Sequence, residues 1–317
     1  MRLHLDRTAF TALLRLVAAT SGIRMDVLEK DYYVTIMLKE LADQQDTLPA
    51  YFKGGTALYK ALNSIRRFSE DIDLTVCIDG CSNSQAKRRL EKAANGYKSL
   101  PRTAVKEMES NMKGSITSVY DYESVTGGIT VDPLQRFSHV KAEATSFTVS
   151  EPFTALTISP LIYDKAEKDQ QTILRDQYGV APFAINTIRL ERIFADKIFA
   201  SEFYYQRGDY FDVSKHIYDI AVMSELEIIR RLLAAPDDFA AMLDYKRREE
   251  RVRIGSDLAD KPFSAFTVFE GMRGNRKLIE TYATMQDIYI FDPADKIDYG
   301  PVCEAAVGIR DVLCALQ

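Results

Sequence analysis

The residues best equipped for chemistry lie between Lys53 and Val76, in the stretch KGGTALYKALNSIRRFSEDIDLTV. Asp71-Ile72-Asp73-Leu74-Thr75-Val76 alternates acidic or polar with apolar residues. Period-two alternation is a strand signal, so Asp71 and Asp73 point to one face. Each strand residue rises about 3.4 Å, which places their Cβ atoms roughly 7 Å apart, a spacing that suits one or two shared hard divalent cations. Upstream, Gly54-Gly55-Thr56 follows the apolar pair Tyr51-Phe52 and opens the helical pattern Ala57, Leu58, Ala61, Leu62. A helix opening on glycines offers unpaired N–H groups and a positive dipole end, and no Cβ keeps a phosphate from the backbone. Carboxylates for a metal beside a cradle for phosphate point to phosphoryl or nucleotidyl transfer.

The elements that must position these groups can be read along the chain. Phe10, Leu13, Leu14, Val17 and Ala18 repeat at helical spacing up to Ser21-Gly22, and a second helix is expected from about Asp26 to Asp43. Lys30 and Asp31 fall on or beside its apolar stripe, so they are either buried ion-pair partners or groups facing a cleft. A short strand over Tyr51 to Lys53 precedes the glycine-led helix. Arg66 and Arg67 fall in the connection that follows; either could reach a triphosphate, but a loop arginine is more often solvated, and solvent is the expectation. Gln85 to Lys92 reads as a basic exposed helix.

From Thr103 to Thr148 the pattern is β-rich, with strands expected over Ile116–Tyr120, Gly128–Val131 and Ser138–Thr148. In the last of these Val140, Ala142 and Ala144 form one face and Lys141, Glu143 and Thr145 the other. Glu143 is therefore either a third metal ligand beside Asp71 and Asp73 or a solvated strand residue. Past Pro182 the chain reads as helical to its end. Leu190, Ile193, Phe194, Lys197 and Ile198 share a stripe, so Lys197 must reach out to water or meet an anion. On the next helix Asp219 flanks Val213, Ile217 and Ile220. The cluster Tyr245-Lys246-Arg247-Arg248 with Arg251 and Arg253 is diluted by Glu249 and Glu250. It reads first as a solvated helix and second as a patch for a polyanion.

Composition bounds the rest. The chain has 317 residues, 46% hydrophobic and 27% charged, as an ordinary globular protein of two lobes would. Its net charge of −5 gives no global basic field, so a nucleic-acid acceptor would need a local patch. The four cysteines lack metal-site spacing and three histidines make an imidazole metal site improbable. No apolar run approaches the roughly 20 residues of a membrane span, and a soluble cytoplasmic protein is expected. Neither a Walker P-loop nor a G-x-G-x-x-G fingerprint is present.

The string KGGTAL…RRFSEDIDL, with LEKDYYVTIML upstream and RIFADKIFA and KHIYDI downstream, resembles the AbiEii/AbiGii-type toxin nucleotidyltransferases, which include the MenT toxins. These form a branch of the DNA polymerase β-like superfamily. The resemblance runs from about Leu28 to Ala221 and implies an α+β fold: a mixed sheet with flanking helices over 1–180 and a helical lobe over 181–317 that completes a cleft. It implies transfer of an NMP from an NTP to an acceptor, an RNA such as tRNA, by the toxin of a toxin–antitoxin or phage-defence pair. Mg²⁺ or Mn²⁺ would sit on Asp71, Asp73 and Glu143, and Lys53, Gly54, Gly55, Thr56 and Ser69 would bind the nucleotide. Asp71 and Asp73 would be catalytic together with Lys197 and Asp219, which the family carries on consecutive helices. The EKDY segment would lie near the nucleotide. Where the family has R-D-hydrophobic-x-D, this chain reads Lys215-His216 at the first two positions, leaving Asp219 in register. Two alternatives stand beside this: a glycosyltransferase with a D-x-D strand end, which leaves Gly54-Gly55 without a task, and a non-catalytic nucleotide-binding module, which would not need the acid pair.

Overall fold

The Asp6 carboxylate accepts a hydrogen bond from the Ala9 N–H and so starts helix α1 (Arg7–Ser21). α1 stops at Gly22, where φ is +72°. The computed structural model describes residues 1–61, 67–127, 138–146, 153–252 and 255–316. Leu62, Arg66, Arg253 and the strand expected over 128–131 lie outside the described residues. Among the described residues the chain builds one eight-stranded mixed sheet and two units.

The first unit comprises 1–61, 69–127, 138–146 and 153–187. Its strands are β1 (Ala50–Lys53), β2 (Ile72–Val76), β3 (Arg102–Thr103), β4 (Ser110–Met112), β5 (Ser115–Asp121), β6 (His139–Thr145), β7 (Phe153–Ile158) and β8 (Phe183–Ile188). They are ordered β3-β5-β6-β2-β1-β8-β7, with β4 beside β5. β1 and β2 run antiparallel, β2 and β6 parallel, β1 and β8 parallel. The helical run expected past Pro182 therefore begins only after β8, whose Phe-Ala-Ile-Asn-Thr-Ile sequence returns the chain to the sheet as a partner of β1. Helices α2 (Met25–Ala42), α3 (Gly54–Ala61), α4 (Asn83–Asn95), α5 (Leu161–Asp164) and α6 (Lys168–Tyr178) complete the unit. α4 covers the sheet face that carries Ala142 and Ser118, its Asn95 accepting from Ser118 and its Ala94 carbonyl from the Tyr120 hydroxyl. The basic residues of α4 are exposed except where Arg89 donates to the Cys77 carbonyl.

α2 is buried nearly all round, and its charged residues are spent on joining elements. Glu29 accepts from Ser124, Thr126 and the Val125 N–H, pinning the loop after β5. Lys30 donates to the His139 carbonyl at the start of β6. Asp31 takes the Lys60 ammonium at 2.7 Å, the Leu161 N–H at 2.6 Å and the Tyr59 hydroxyl. Lys60 also donates to Thr35 and the Ser159 carbonyl, both at 2.9 Å. One buried ion pair thus joins α2, α3 and the start of α5. Of the two readings left open for Lys30 and Asp31, the buried partners are what the fold contains.

The second unit comprises 67–68, 188–252 and 255–316, with helices α7 (Leu190–Gln206), α8 (Tyr210–Ser224), α9 (Glu227–Leu233), α10 (Pro236–Glu250), α11 (Val268–Gly271), α12 (Arg276–Tyr289) and α13 (Tyr299–Ala315). α8 is its hub, packed by α7, α12 and α13. Arg192 pairs with Asp196 at 2.8 Å and with Glu249, while Lys246 pairs with Glu250 at 2.7 Å and Asp196 at 3.2 Å, so buried charges tie α7 to α10. The four cysteines are free thiols, and no helix among the described residues is long and apolar enough to cross a membrane.

Two outcomes follow for stability. Lys60→Met strips a buried carboxylate of its cation and is expected to cost about 3–5 kcal/mol in chemical denaturation. A loss under about 1 kcal/mol would mean that the pair does not join the helices. All three histidines are held neutral: burial, then the amino terminus, lowers His4. Burial, then the Lys30 and Lys141 ammoniums, pushes His139 down to about 4, and burial, then Lys197, lowers His216 well below the usual value. Below about pH 6.5 the unfolded histidines take up protons that the folded ones refuse, so stability falls as pH drops from there toward 4. His139→Gln should flatten part of that fall, on the order of 1 kcal/mol or about 2–4 °C in Tm, and a wild-type Tm constant from pH 7 to 4.5 would contradict it.

Candidate active site

Strand β1 ends at Lys53 and α3 begins at once on Gly54. That abrupt change needs a left-handed backbone, and Gly54 has φ +80°. It also needs room, because the neighbouring β2 presses Asp73 against it. A Cβ on Gly54 would lie 2.0 Å from Asp73 Oδ2 and 2.8 Å from its Cγ. Glycine is required there on both counts. The next turn of α3 is tied to the chain entering β2. The buried Thr56 hydroxyl donates to the Asp71 carbonyl at 2.6 Å and lies 3.0 Å from Ser69 Oγ. Thr56 and Ser69 thus clasp the glycine turn to the acid strand, with the Thr56 hydroxyl turned inward.

Sheet register sets the rest of the site. Asp73 is paired across β1 with Lys53 and across β6 with Glu143, which in turn is opposite Thr117 on β5. Directly paired residues share a face, so Lys53, Asp73, Glu143 and Thr117 form one polar row. This is the face opposite α4, since Ala142 and Ser118 alternate with Glu143 and Thr117. Glu143 is exposed and Lys53 half-buried, and the Lys53 ammonium has no ion-pair partner among the described residues. Asp71 stands one residue before β2. Its Oδ2 meets the Lys141 ammonium at 2.9 Å, while its Oδ1 is buried with no hydrogen-bond partner. Burial pulls Lys141 down, but Asp71, then Glu70 and Asp73, hold it above its ordinary value.

The donor set fits a hard divalent cation. It offers an orphaned buried carboxylate oxygen on Asp71, a second carboxylate seated on a glycine turn, and oxygen ligands throughout. Among the described residues no three acidic, histidine or cysteine groups converge into a ready metal cage. Mg²⁺ does not ask for one: it is commonly held by one or two carboxylates, with waters and substrate phosphates as its other ligands.

In the second unit Lys197 and Asp219 meet, α7 to α8, at 2.7 Å and are both buried. The Arg67 guanidinium holds the same carboxylate with two hydrogen bonds, at 2.9 and 2.7 Å. Burial alone would raise the Asp219 carboxyl, but Arg67 and then Lys197 hold it well below the ordinary carboxylate range. Arg67, expected in solvent, is thus buried in a two-cation, one-anion trio. Nothing in the local pattern of Arg66-Arg67-Phe68 signals this. His216 stacks on Tyr204 and its Nδ1 has no hydrogen-bond partner, while Lys215 pairs with Asp212, so neither residue at the departing motif position joins the trio.

The basic cluster at the end of α10 is not a free patch. Lys246 is buried among carboxylates, Arg247 donates to the carbonyls of Leu258, Ala259 and Lys261, and Arg251 pairs with Asp260 at 2.8 Å. Lys141 is the residue that sequence reasoning passed over. It was visible on the Glu143 face of β6, but only the three-dimensional register brings it to Asp71.

No curated protein matches this chain. Among solved structures it is similar to MenT4, a nucleotidyltransferase toxin from Mycobacterium tuberculosis H37Rv, at 14% identity and a TM-score of 0.45, covering 96% of this chain and 99% of that one. A likeness that distant carries no argument about the site. Residues 36–294, most of the chain, match the family described as Nucleotidyl transferase AbiEii toxin, Type IV TA system, and the protein belongs to this family of nucleotidyltransferase toxins.

Proposed function

We propose that the protein transfers a nucleoside monophosphate from an NTP to a hydroxyl of an RNA acceptor such as tRNA, with Mg²⁺ or Mn²⁺ on Asp71 and Asp73, as a toxin held in check by a cognate antitoxin. The observation that carries the reading is the contact of the Asp73 carboxylate with Gly54, which brings a hard-cation ligand to the N-terminal turn of a helix. In the reaction the acceptor oxygen bonds to the α-phosphorus as the bond to the bridging oxygen breaks. Pyrophosphate leaves and the hydroxyl proton passes to solvent. A bound divalent cation would supply charge neutralisation along the triphosphate and lower the cost of an attacking alkoxide. The backbone N–H groups at Gly54 and Gly55 receive the β- and γ-phosphates, and Lys53, with no carboxylate of its own, adds a positive hand on the same face as Asp73. Glu143 stands beside Asp73 on the polar row, without a three-carboxylate cage among the described residues. Lys197, held by Asp219, is the second unit's candidate catalytic cation.

Asp73→Ala is expected to fold and to lose about 10²-fold or more of transfer, the scale for removing one electrostatic stabiliser. The measurement is incorporation of each labelled NTP into total RNA with Mg²⁺. A folded variant that transfers at the wild-type rate would remove Asp73 from the chemistry.

Lys197 and Asp219 are separated by a second pair of variants. Without Lys197 the Asp219 carboxylate keeps both Arg67 hydrogen bonds, so Lys197→Ala is expected to abolish transfer at a modest cost in stability. Asp219→Asn leaves two buried cations without an anion and is expected to cost about 3–5 kcal/mol. Turnover retained in Lys197→Ala together with a large loss of stability would make the trio a structural joint only.

A further inference from the structure

We propose that Lys141 is the resident counter-cation of the carboxylate site, occupying at Asp71 Oδ2 the place that a divalent cation takes when the site is loaded, and turning to the triphosphate when displaced. The inference rests on the reading of Asp71 and Asp73 as metal ligands and adds to it a residue that competes for one of them.

Three observations place Lys141 in this role. Its Nζ lies 2.9 Å from Asp71 Oδ2, whereas the other oxygen of the same carboxylate is buried without a partner, so Lys141 is the one cation paired with Asp71 among the described residues. Lys141 shares a face of β6 with Glu143, which is in register with Asp73, so its ammonium rises from the same surface as three carboxylates. Asp71, Glu70 and Asp73 all act on this ammonium, so it offsets negative charge on that face. Finally, the Lys141 and Asp71 side chains are each 36% exposed, unlike the buried pairs of this chain: Lys60 and Asp31 are 3% and 0% exposed, Lys197 and Asp219 7% and 3%. A pair that exposed adds little to folding stability and exchanges readily with ions in solution. Fold stability alone does not account for it.

A monovalent ammonium at a ligand oxygen opposes a divalent cation both by occupying that oxygen and by repulsion. Removing it should tighten metal binding while depriving the triphosphate of a contact. The test is Mn²⁺ binding without nucleotide, followed by the free-Mn²⁺ paramagnetic resonance signal, in wild type, Lys141→Met, Lys141→Arg and Asp73→Ala. Lys141→Met is expected to bind Mn²⁺ about fivefold more tightly than wild type, the scale of one half-exposed ion pair. Lys141→Arg should stay close to wild type. With metal saturating, Lys141→Met should also raise the KM for NTP. Lys141→Gln serves the same purpose if the methionine variant does not fold. Mn²⁺ binding in Lys141→Met that equals or falls below wild type, while Asp73→Ala abolishes binding, would overturn the counter-cation and leave the metal site standing. Binding absent from wild type, or undiminished in Asp73→Ala, would remove the metal site and this inference with it.

Discussion

The structure around the site depends on one close approach: the Asp73 carboxylate resting on the backbone of Gly54, where any side chain would collide at 2.0 Å. For that contact to exist, β1 must stop at Lys53, the chain must turn left-handed, and α3 must start without an intervening loop. β2 must then run antiparallel to β1 in the register that places Asp73 opposite Lys53. Thr56 locks the arrangement from below through the Asp71 carbonyl. The same contact separates the chemical readings of a D-x-D strand end. Two acids alone would also suit a nucleotide-sugar enzyme, but that reading gives the glycine turn no task. Here the turn and the acid are one unit.

The chain buries several ion pairs, and exposure sorts them. Asp31 with Lys60, and Asp219 with Lys197 and Arg67, lie away from water with nearly every lone pair used. Breaking such a pair leaves an uncompensated charge in a poorly polarisable setting, so each pair ties together the elements that carry it. The pair Asp71–Lys141 has the same chemistry and a different setting. Water reaches both partners, and one Asp71 oxygen is left over. A joint with an unfilled oxygen is poorly built as structure and well suited to exchange.

Much of this was legible in the sequence. Period-two alternation marked the strand that carries Asp73, and the glycine pair marked the helix start, because both signals are local. The face shared by Lys141 and Glu143 was also readable from alternation within β6. What local signals do not carry is partnership at a distance. Arg67 reads as a loop residue until the tertiary fold brings Asp219 to it, and Lys30 and Asp31 read equally as joint or cleft because burial all round a helix erases its amphipathic stripe. β8 escaped for a related reason: six residues of alternation just before a long helical run are easily absorbed into it, and only its parallel pairing with β1 shows what they do.

Charge on the polar row has a consequence for the order of events. Asp71, Asp73 and Glu143, with Glu70 close enough to raise Lys141, outnumber the Lys53 and Lys141 ammoniums, so this face carries net negative charge. An NTP is strongly anionic and would be repelled by the carboxylates more than it is drawn by two ammoniums, one of which is already engaged by Asp71. On the proposed reading, a divalent cation added to the face would offset that negative charge and free the Lys141 ammonium in the same step. If the proposed metal site holds, nucleotide would enter best as its metal complex, or after a metal. On the proposed reading the glycine turn then orients the phosphates, and the charge that draws them in comes from a metal exchanged for Lys141 at Asp71.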